Sequence, residues 1–432
     1  MIELAVPLPL LWMLRWVLFL GPLGAALALG WRARHEQRAL VGGLFAFLYG
    51  LGSIFVTHTL AGAVGWWSYG GNAVMIAGLP ADIWIGGALL FGPVLYFAFP
   101  KVPPLLLLLS IMLGLHGTVF LSLQPFVTPG PFWYVGVPIV FATSHLPALY
   151  LARWTAEDRR LGLRAALLAA GYGCLAFVVL PATIMHAIGS PWTLAERPMP
   201  LVIGGALLAG GCCVLGLSAV QMFVLYGRGT PIPLDPTQRL VRSGVFAYIR
   251  NPMQLCTALV WIIEGVVLGN VWVAAAALMA WVFVAGMVRW HHRYDLLVRF
   301  PRDWTEYATS VPEWLPRWRP WLEPGGGNAA FLRYDPERVW QVAAVAVLKR
   351  AAPVGIEVTA SQDGRLVYSD ERDGPSFSGV TALAAAFQHT NLALMLAGAA
   401  VLLVIMPLVA LLAPLAAQLR RRGCPGSADH AR

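Results

Sequence analysis

Long apolar stretches alternate with short polar connectors over most of this 432-residue chain. A helix needs about 20 consecutive apolar residues to cross the hydrocarbon core of a bilayer. Stretches that reach or approach this length lie at residues 5–30, 39–64, 82–99, 103–124, 131–152, 163–187, 199–226, 253–268, 271–290 and 392–417. The pattern predicts an all-α polytopic membrane protein with nine or ten transmembrane helices, the eighth being short enough to form part of a tight hairpin.

Composition and charge indicate a membrane protein rather than a soluble one. Hydrophobic residues make up 58% of the chain and charged residues 12%, whereas about a quarter of the residues in soluble domains are charged. The net charge of +9 is spread over the connectors between apolar stretches, so it does not indicate nucleic-acid binding. Arginine greatly outnumbers lysine, and alanine and glycine are abundant, which is typical of GC-rich bacterial genomes.

Alternate connectors carry most of the positive charge, and this asymmetry predicts a topology. The richest ones hold Arg32, Arg34, Arg38, Arg153, Arg159, Arg160, Arg164, Arg228, Arg239, Arg242 and Arg250. The positive-inside rule places the N-terminus outside the cell (inner) membrane and the connector at residues 227–250 in the cytoplasm. The tail Arg420-Arg421-Arg422 disagrees, so either the stretch 392–417 re-enters without crossing or the tail is an exception to the rule.

Cysteines and histidines give no strong sign of a metal site. The five cysteines lie mostly inside apolar stretches, which suggests neither a disulfide framework nor zinc binding. Four histidines, His58, His116, His145 and His186, also lie within predicted spans, where ionisable groups are costly and often functional. One interpretation is a quinone, pigment, metal or proton site, and the other is hydrogen bonding between helices. The sequence has no His-x-x-His or His-x-x-x-His pair, so we favour hydrogen bonding and predict no metal.

The most distinctive polar segment runs from Gly227 to Trp318. It contains Arg-Leu-Val-Arg-Ser-Gly-Val-Phe-Ala-Tyr-Ile-Arg-Asn-Pro-Met at residues 239–253, then two apolar spans, and it ends near Val-Pro-Glu-Trp-Leu-Pro at residues 311–316. Arg250 is suited to bidentate binding of a carboxylate, and Gly244 allows the backbone to approach a ligand. Pro252 is placed to begin a helix whose N-terminal N–H groups favour anionic groups.

This order of motifs resembles the membrane methyltransferases typified by isoprenylcysteine carboxyl methyltransferase and the phospholipid N-methyltransferases, over about residues 199–318. The resemblance implies an S-adenosylmethionine-dependent enzyme that methylates a membrane lipid or lipidated acceptor at the cytoplasmic face. It does not identify a protein partner. It implies a cofactor pocket that contains Gly244, Tyr248, Arg250, Asn251, Pro252 and Tyr307.

The second half of the motif departs from the family pattern. The family carries glutamates just before the leucine matched by Leu296, and this chain has His292, Arg293 and Tyr294 there. Asp295 or Glu306 is expected to supply the missing carboxylate, and Arg250 completes the expected catalytic set. The alternative is an inactive scaffold or binding protein that keeps the methyltransferase fold.

Periodicity changes after Gly325-Gly326-Gly327. Residues 331–334 alternate as a strand, and Asp335-Pro336 has the form of a helix N-cap, predicting a helix to about Arg350. Two further alternating runs flank Asp363-Gly364, at residues 356–359 and 365–368, which is typical of a hairpin. A second helix is expected at about 377–388. Together these elements predict a small cytoplasmic α/β module.

The module resembles a thioredoxin-type domain of the DCC family, whose first strand ends Tyr-Asp-Gly-x-Cys-x-x-Cys. Tyr334 and Asp335 match, but Arg338 and Gln341 occupy the cysteine positions. Thiol exchange needs a thiolate, so the resemblance implies a degenerate module without redox activity. The expected domains are a six-helix membrane domain (1–198), a methyltransferase-like membrane domain (199–322), the α/β module (323–390), a C-terminal membrane helix (391–419) and a basic tail (420–432).

Overall fold

The computed structural model describes residues 7–70, 73–116, 126–192, 194–325, 330–370 and 374–422. About 69% of the chain is helical, which confirms a helical membrane protein. The helices are α1 (Leu8–Arg32), α2 (Gln37–Ala63), α3 (Asp82–Ala98), α4 (Pro104–Gly114), α5 (Trp133–Ala156), α6 (Leu161–Ala187), α7 (Met199–Gly227), α8 (Pro252–Leu268), α9 (Val271–Arg299), α10 (Pro301–Ser310), α11 (Val339–Arg350), α12 (Val380–Ala386) and α13 (Leu392–Arg422).

Seven of these helices are long and apolar enough to cross a membrane. They are α1, α2, α5, α6, α7, α9 and the first part of α13. Three others, α3, α4 and α8, are apolar but shorter. Each of the ten apolar stretches in the sequence therefore contains a helix, while nine or ten crossings remain a prediction.

One compact unit comprises Met1–Gly205, Gly229–Pro236 and Trp261–Ala277. Helix α2 forms its centre, because Phe45 and Ala46 are fully buried among α3, α5 and α6. Glycine permits the close packing: a Cβ at Gly42 would lie 2.5 Å from the carbonyl oxygen of Ala152 in α5. Two short antiparallel strand pairs join the helices, β1 (Trp67–Tyr69) with β4 (Val127–Pro129) and β2 (Met75–Ile76) with β3 (Leu79–Pro80).

Two of the four histidines predicted to lie within membrane spans, His58 and His145, pack against aromatic side chains. Nδ1 of His58 lies 2.7 Å from the hydroxyl of Tyr69, and His145 stacks on Phe91 at 4.0 Å between ring centroids. The His116 side chain lies outside the described residues. Within the part of the chain that is described, no three side chains of the metal-binding types come together.

The second compact unit comprises Ala206–Arg228, Thr237–Val260 and Leu278–Arg432. Its core is built on the C-terminal half of α7, where Leu215, Ala219, Met222 and Tyr226 recur at helical spacing. These side chains pack with the buried turn at residues 245–249, with α10 and with α13. The core therefore surrounds the segment that carries the Arg-Asn-Pro-Met motif.

The same unit contains a four-stranded sheet of β5 (Ala330–Tyr334), β6 (Ile356–Ala360), β7 (Val367–Asp370) and β8 (Phe377–Ser378). The strand order is β6-β5-β7-β8, with β5 and β6 parallel and the other pairs antiparallel. The predicted strand at residues 331–334 is confirmed. The predicted hairpin is wrong, because β6 and β7 each pair with β5 and not with each other.

Both helices of this module begin later than the sequence predicts. The Asp335 carboxylate accepts the N–H of Glu337 in a local turn, so α11 begins at Val339 after its N-cap residue Arg338. The segment expected to begin the second helix at about 377 is strand β8, and α12 begins at Val380. At the first helix a turn, and at the second a strand pairing, forms hydrogen bonds with backbone groups that a longer helix would otherwise use.

Candidate functional site

The motif at residues 239–253 forms a tight turn that leads into α8. Gly244 has φ of +59°, a left-handed conformation that glycine adopts without strain. A Cβ at this position would also overlap the sulfur of Met222. The turn is short and helical from Gly244 to Ala247, and Pro252 then begins α8. Glycine and proline thus stand where the backbone requires them.

Three backbone hydrogen bonds fix the segment that contains Val-Pro-Glu-Trp-Leu-Pro beside this turn. They join Arg250 N to Pro312 O at 3.0 Å, Arg317 N to Tyr248 O at 2.9 Å, and Trp321 N to Ala247 O at 2.8 Å. The two halves of the motif, separated by three helices in sequence, therefore form one structural element. This pairing places Glu313 beside Arg250.

Arg250 lies in a partly buried cluster of charged groups. Its Nη2 is 3.6 Å from Oε1 of Glu313, and Nη2 of Arg289 is 3.4 Å from Oε2 of the same carboxylate. The Nε of Arg250 and the Nδ2 of Asn251 are buried and have no hydrogen-bond partner among the described residues. Buried donors without partners are rare in native proteins, and a bound ligand is one way in which they are satisfied.

Tyr248 and Tyr307 serve as buried hydrogen-bond donors. The hydroxyl of Tyr248 donates to the carbonyl of Gln388 at 3.0 Å, and that of Tyr307 donates to the carbonyl of Phe246 at 2.8 Å. Burial raises the pKa of both phenols well above the usual range, so both stay neutral at physiological pH. Tyr307 holds α10 onto the turn, and its hydroxyl is already occupied.

The structure does not bring Asp295 or Glu306 into contact with Arg250. Asp295 accepts hydrogen bonds from Nη1 of Arg299 at 3.0 and 3.3 Å and lies 3.7 Å from His291. Glu306 is half-buried on α10. Among the described residues, the carboxylate that forms an ion pair with Arg250 is that of Glu313. The roles expected for Asp295 and Glu306 stay predictions.

An apolar cavity adjoins the same turn. Gly244 forms part of its wall, and its interior of about 20 Å³ has room for roughly one water molecule. Met222 and other apolar residues supply most of the lining, which also includes Ser218, Gln221 and Gln388.

Sequence reasoning missed Glu313, which is 63 positions from Arg250 in the chain. The signal that marks it is an acidic residue isolated in the otherwise apolar, proline-bracketed run Val-Pro-Glu-Trp-Leu-Pro. Sequence reasoning also missed the packing of His292 on Trp304, whose ring centroids are 4.4 Å apart. This contact packs the end of α9 against α10.

Comparison of the chain with models of protein families, with curated proteins and with solved structures gave no match.

Proposed function

We propose that this protein is an S-adenosylmethionine-dependent methyltransferase that acts on a lipid-like acceptor at the cytoplasmic face of the cell membrane. The observation that carries the proposal is a pair of buried donors, Nε of Arg250 and Nδ2 of Asn251, which have no hydrogen-bond partner within the described part of the chain, with the Glu313 carboxylate beside Arg250. These are two of the residues that the family resemblance assigns to the cofactor. A carboxylate on the ligand would satisfy them with charge-assisted hydrogen bonds.

The expected acceptor class follows from the surface beside the site. The end of α9 exposes Trp290, Tyr294 and Val298, which recur at four-residue spacing on one helix face, with Arg289 and Arg293 next to them. Exposed aromatic side chains with neighbouring arginines are typical of the membrane–water interface. An acceptor that diffuses within the membrane would therefore reach the site laterally, with its polar end toward Arg250.

The test is isothermal titration of S-adenosylmethionine into detergent-purified full-length protein. Arg250→Ala is expected to weaken binding about 10- to 150-fold, the range for a lost hydrogen bond between charged groups. Arg302→Ala is the matched control, because Arg302 is an exposed arginine on α10 of the same unit. Equal affinity in wild type and Arg250→Ala would refute the assigned pocket.

Transfer is then measured with methyl-labelled donor and total bacterial lipid, with label recovered in the organic phase. Labelled methanol released from that phase by mild base would identify a carboxyl ester, and base-stable label would identify an amine. Donor binding without transfer to any lipid or prenylated acceptor would contradict the enzymatic part of the proposal.

We also infer that residues 330–390 form a thioredoxin-type module without thiol chemistry. The mixed four-stranded sheet flanked by α11 and α12 supports this inference. Gln341, at a cysteine position of the resembled motif, accepts the Asp335 N–H at 2.8 Å and donates to the Gly364 carbonyl at 3.3 Å. Its side chain thus serves as a structural link between two loops.

A non-enzymatic scaffold is the second candidate, and one observation favours it. Tyr248 of the motif is hydrogen-bonded to Gln388, and the side chain of Gln388 donates to Tyr368 of the sheet. These hydrogen bonds connect the proposed cofactor pocket to a module that lacks the two cysteines of the motif it resembles. A scaffold would bind no donor even at millimolar concentration, and the titration above separates the two candidates.

A further inference from the structure

We propose that Glu313 binds the α-ammonium group of the methyl donor, and this inference rests on the proposed function. The donor carries an α-carboxylate and an α-ammonium on one carbon, so a matching site needs one cation and one anion side by side. Arg250 and Glu313 provide this pair, with 3.6 Å between Nη2 and Oε1. Neither Asp295 nor Glu306 has this placement.

The distance between the two side chains leaves them available to a ligand. A separation of 3.6 Å exceeds the 2.7–3.2 Å that is usual for N–H···O hydrogen bonds. The Arg250 and Glu313 side chains are 17% and 22% exposed, so ligand can reach both. The Nε of Arg250 is buried and has no hydrogen-bond partner among the described residues, so the guanidinium keeps one donor that its own neighbours do not use. An ammonium can then replace Arg250 as the neighbour of Glu313.

The Glu313 ion pairs are not needed to hold the surrounding segment in place. The backbone bonds from Arg250 to Pro312 and from Arg317 to Tyr248 already fix the chain on both sides of Glu313. Because these neutral bonds hold the segment, we expect loss of the Glu313 ion pairs to leave the fold intact. The carboxylate is therefore placed by neutral backbone bonds, and its charge is free to serve recognition.

Local charge supports the same assignment. Arg250 and Arg289 together carry two positive charges against the single negative charge of Glu313. The donor brings a sulfonium and an ammonium, which repel this cluster unless a carboxylate lies between them. Asp295 is already neutralised by Arg299, with which it forms two hydrogen bonds. Glu313 is thus the carboxylate best placed to offset the added positive charge.

The experiment compares S-adenosylhomocysteine with its analogue that lacks the α-amino group, titrated into the full-length protein. Wild type is expected to prefer the amino compound by about 10- to 150-fold. Glu313→Gln should lower affinity for the amino compound and leave affinity for the analogue nearly unchanged, so the preference falls close to one. Glu313→Asp, which keeps the charge, should restore part of the preference.

Glu323→Gln is the matched control, because Glu323 is a half-exposed carboxylate of the same unit that pairs with Arg242. It should leave both affinities unchanged, and the thermal midpoint of each variant verifies folding. Retained preference in Glu313→Gln, or an equal loss for both compounds, would overturn the inference while the donor site stands. Loss of the preference in Asp295→Asn or Glu306→Gln instead would assign the role to that residue. Wild-type protein that binds neither compound would overturn the proposed function together with this inference.

Discussion

The buried ion pair between Arg15 and Asp82 allows a quantitative test of the first unit's packing. Arg15 on α1 donates to both carboxylate oxygens of Asp82, at 3.1 and 2.9 Å, and both side chains are 4% exposed. The same guanidinium donates to the carbonyl of Gly70 at 3.1 Å and lies over the ring of Phe126. The pair therefore ties α1 to α3 and to the connector before it.

Removal of one partner leaves a buried charge without compensation, which costs about 3–5 kcal/mol. Asp82→Leu is expected to fall in this range, equivalent to roughly a 150- to 4,000-fold change in the unfolding constant. Arg15→Met should cost less, because Asp82 lies in the first turn of α3, where the helix dipole stabilises an anion by about 0.3–1 kcal/mol. The double variant Arg15→Met/Asp82→Leu should be close to wild type, since apolar replacement of a buried pair is often neutral.

The assay is reversible unfolding of full-length protein in mixed micelles, followed by the fluorescence of its 18 tryptophans. Arg38→Met is the control, because Arg38 forms an exposed pair with Asp158 at 3.0 Å and should contribute no more than about 1 kcal/mol. Single variants that each lose less than about 1 kcal/mol, or a double variant as unstable as the sum of the two, would refute the reasoning.

Three further predictions concern the second unit. Gly244→Ala should destabilise the protein by about 1–3 kcal/mol through the left-handed φ and the clash with Met222, and addition of Met222→Ala should recover the steric part in thermal unfolding. Gln341→Leu leaves the Asp335 N–H without its partner, so it should cost about 1–3 kcal/mol and increase proteolysis of the module. Burial raises the pKa of Tyr307, so as pH rises the unfolded chain loses this proton before the folded chain does. The free energy of unfolding should therefore fall as pH rises above about 10. Tyr307→Phe should make this fall smaller when unfolding is measured from about pH 8 to 11.

Local patterns in the sequence predicted the helices well and the sheet only in part. Apolar length alone located the ten apolar helices of the described residues, because a long apolar helix satisfies its backbone groups within itself. The order of strands cannot be read from alternation, because β6 and β7 have the pattern of a hairpin whether or not another strand lies between them. Strand β5 takes that central place, with Ala330 and Leu332 fully buried.

The candidate site was only partly predictable for a related reason. Gly244 and Pro252 are recognisable in sequence because their backbone requirements are local. The neighbour of Arg250 is set by backbone pairing between segments that three helices separate in sequence, so motif position alone led to Asp295 or Glu306 as the expected acid. Asp295 lies on α9 one turn before Arg299, and an i,i+4 pair forms there without any help from the rest of the fold.

In our proposal, neutral groups hold the site together and charged groups bind the donor. The site can therefore depart from the pattern of the family it resembles and still bind a donor. Backbone bonds and the hydroxyl of Tyr307 hold the two halves of the motif together, so side-chain charges at the site are not needed for folding. By the resemblance, His292, Arg293 and Tyr294 stand where glutamates would be, and such a change would alter the electrostatics without loss of the fold. In our proposal, the single carboxylate of Glu313 beside Arg250 supplies the pairing that an amino-acid donor requires. If this is correct, charge substitutions at the site should leave the stability of the fold nearly unchanged and should change the affinity for the ligand.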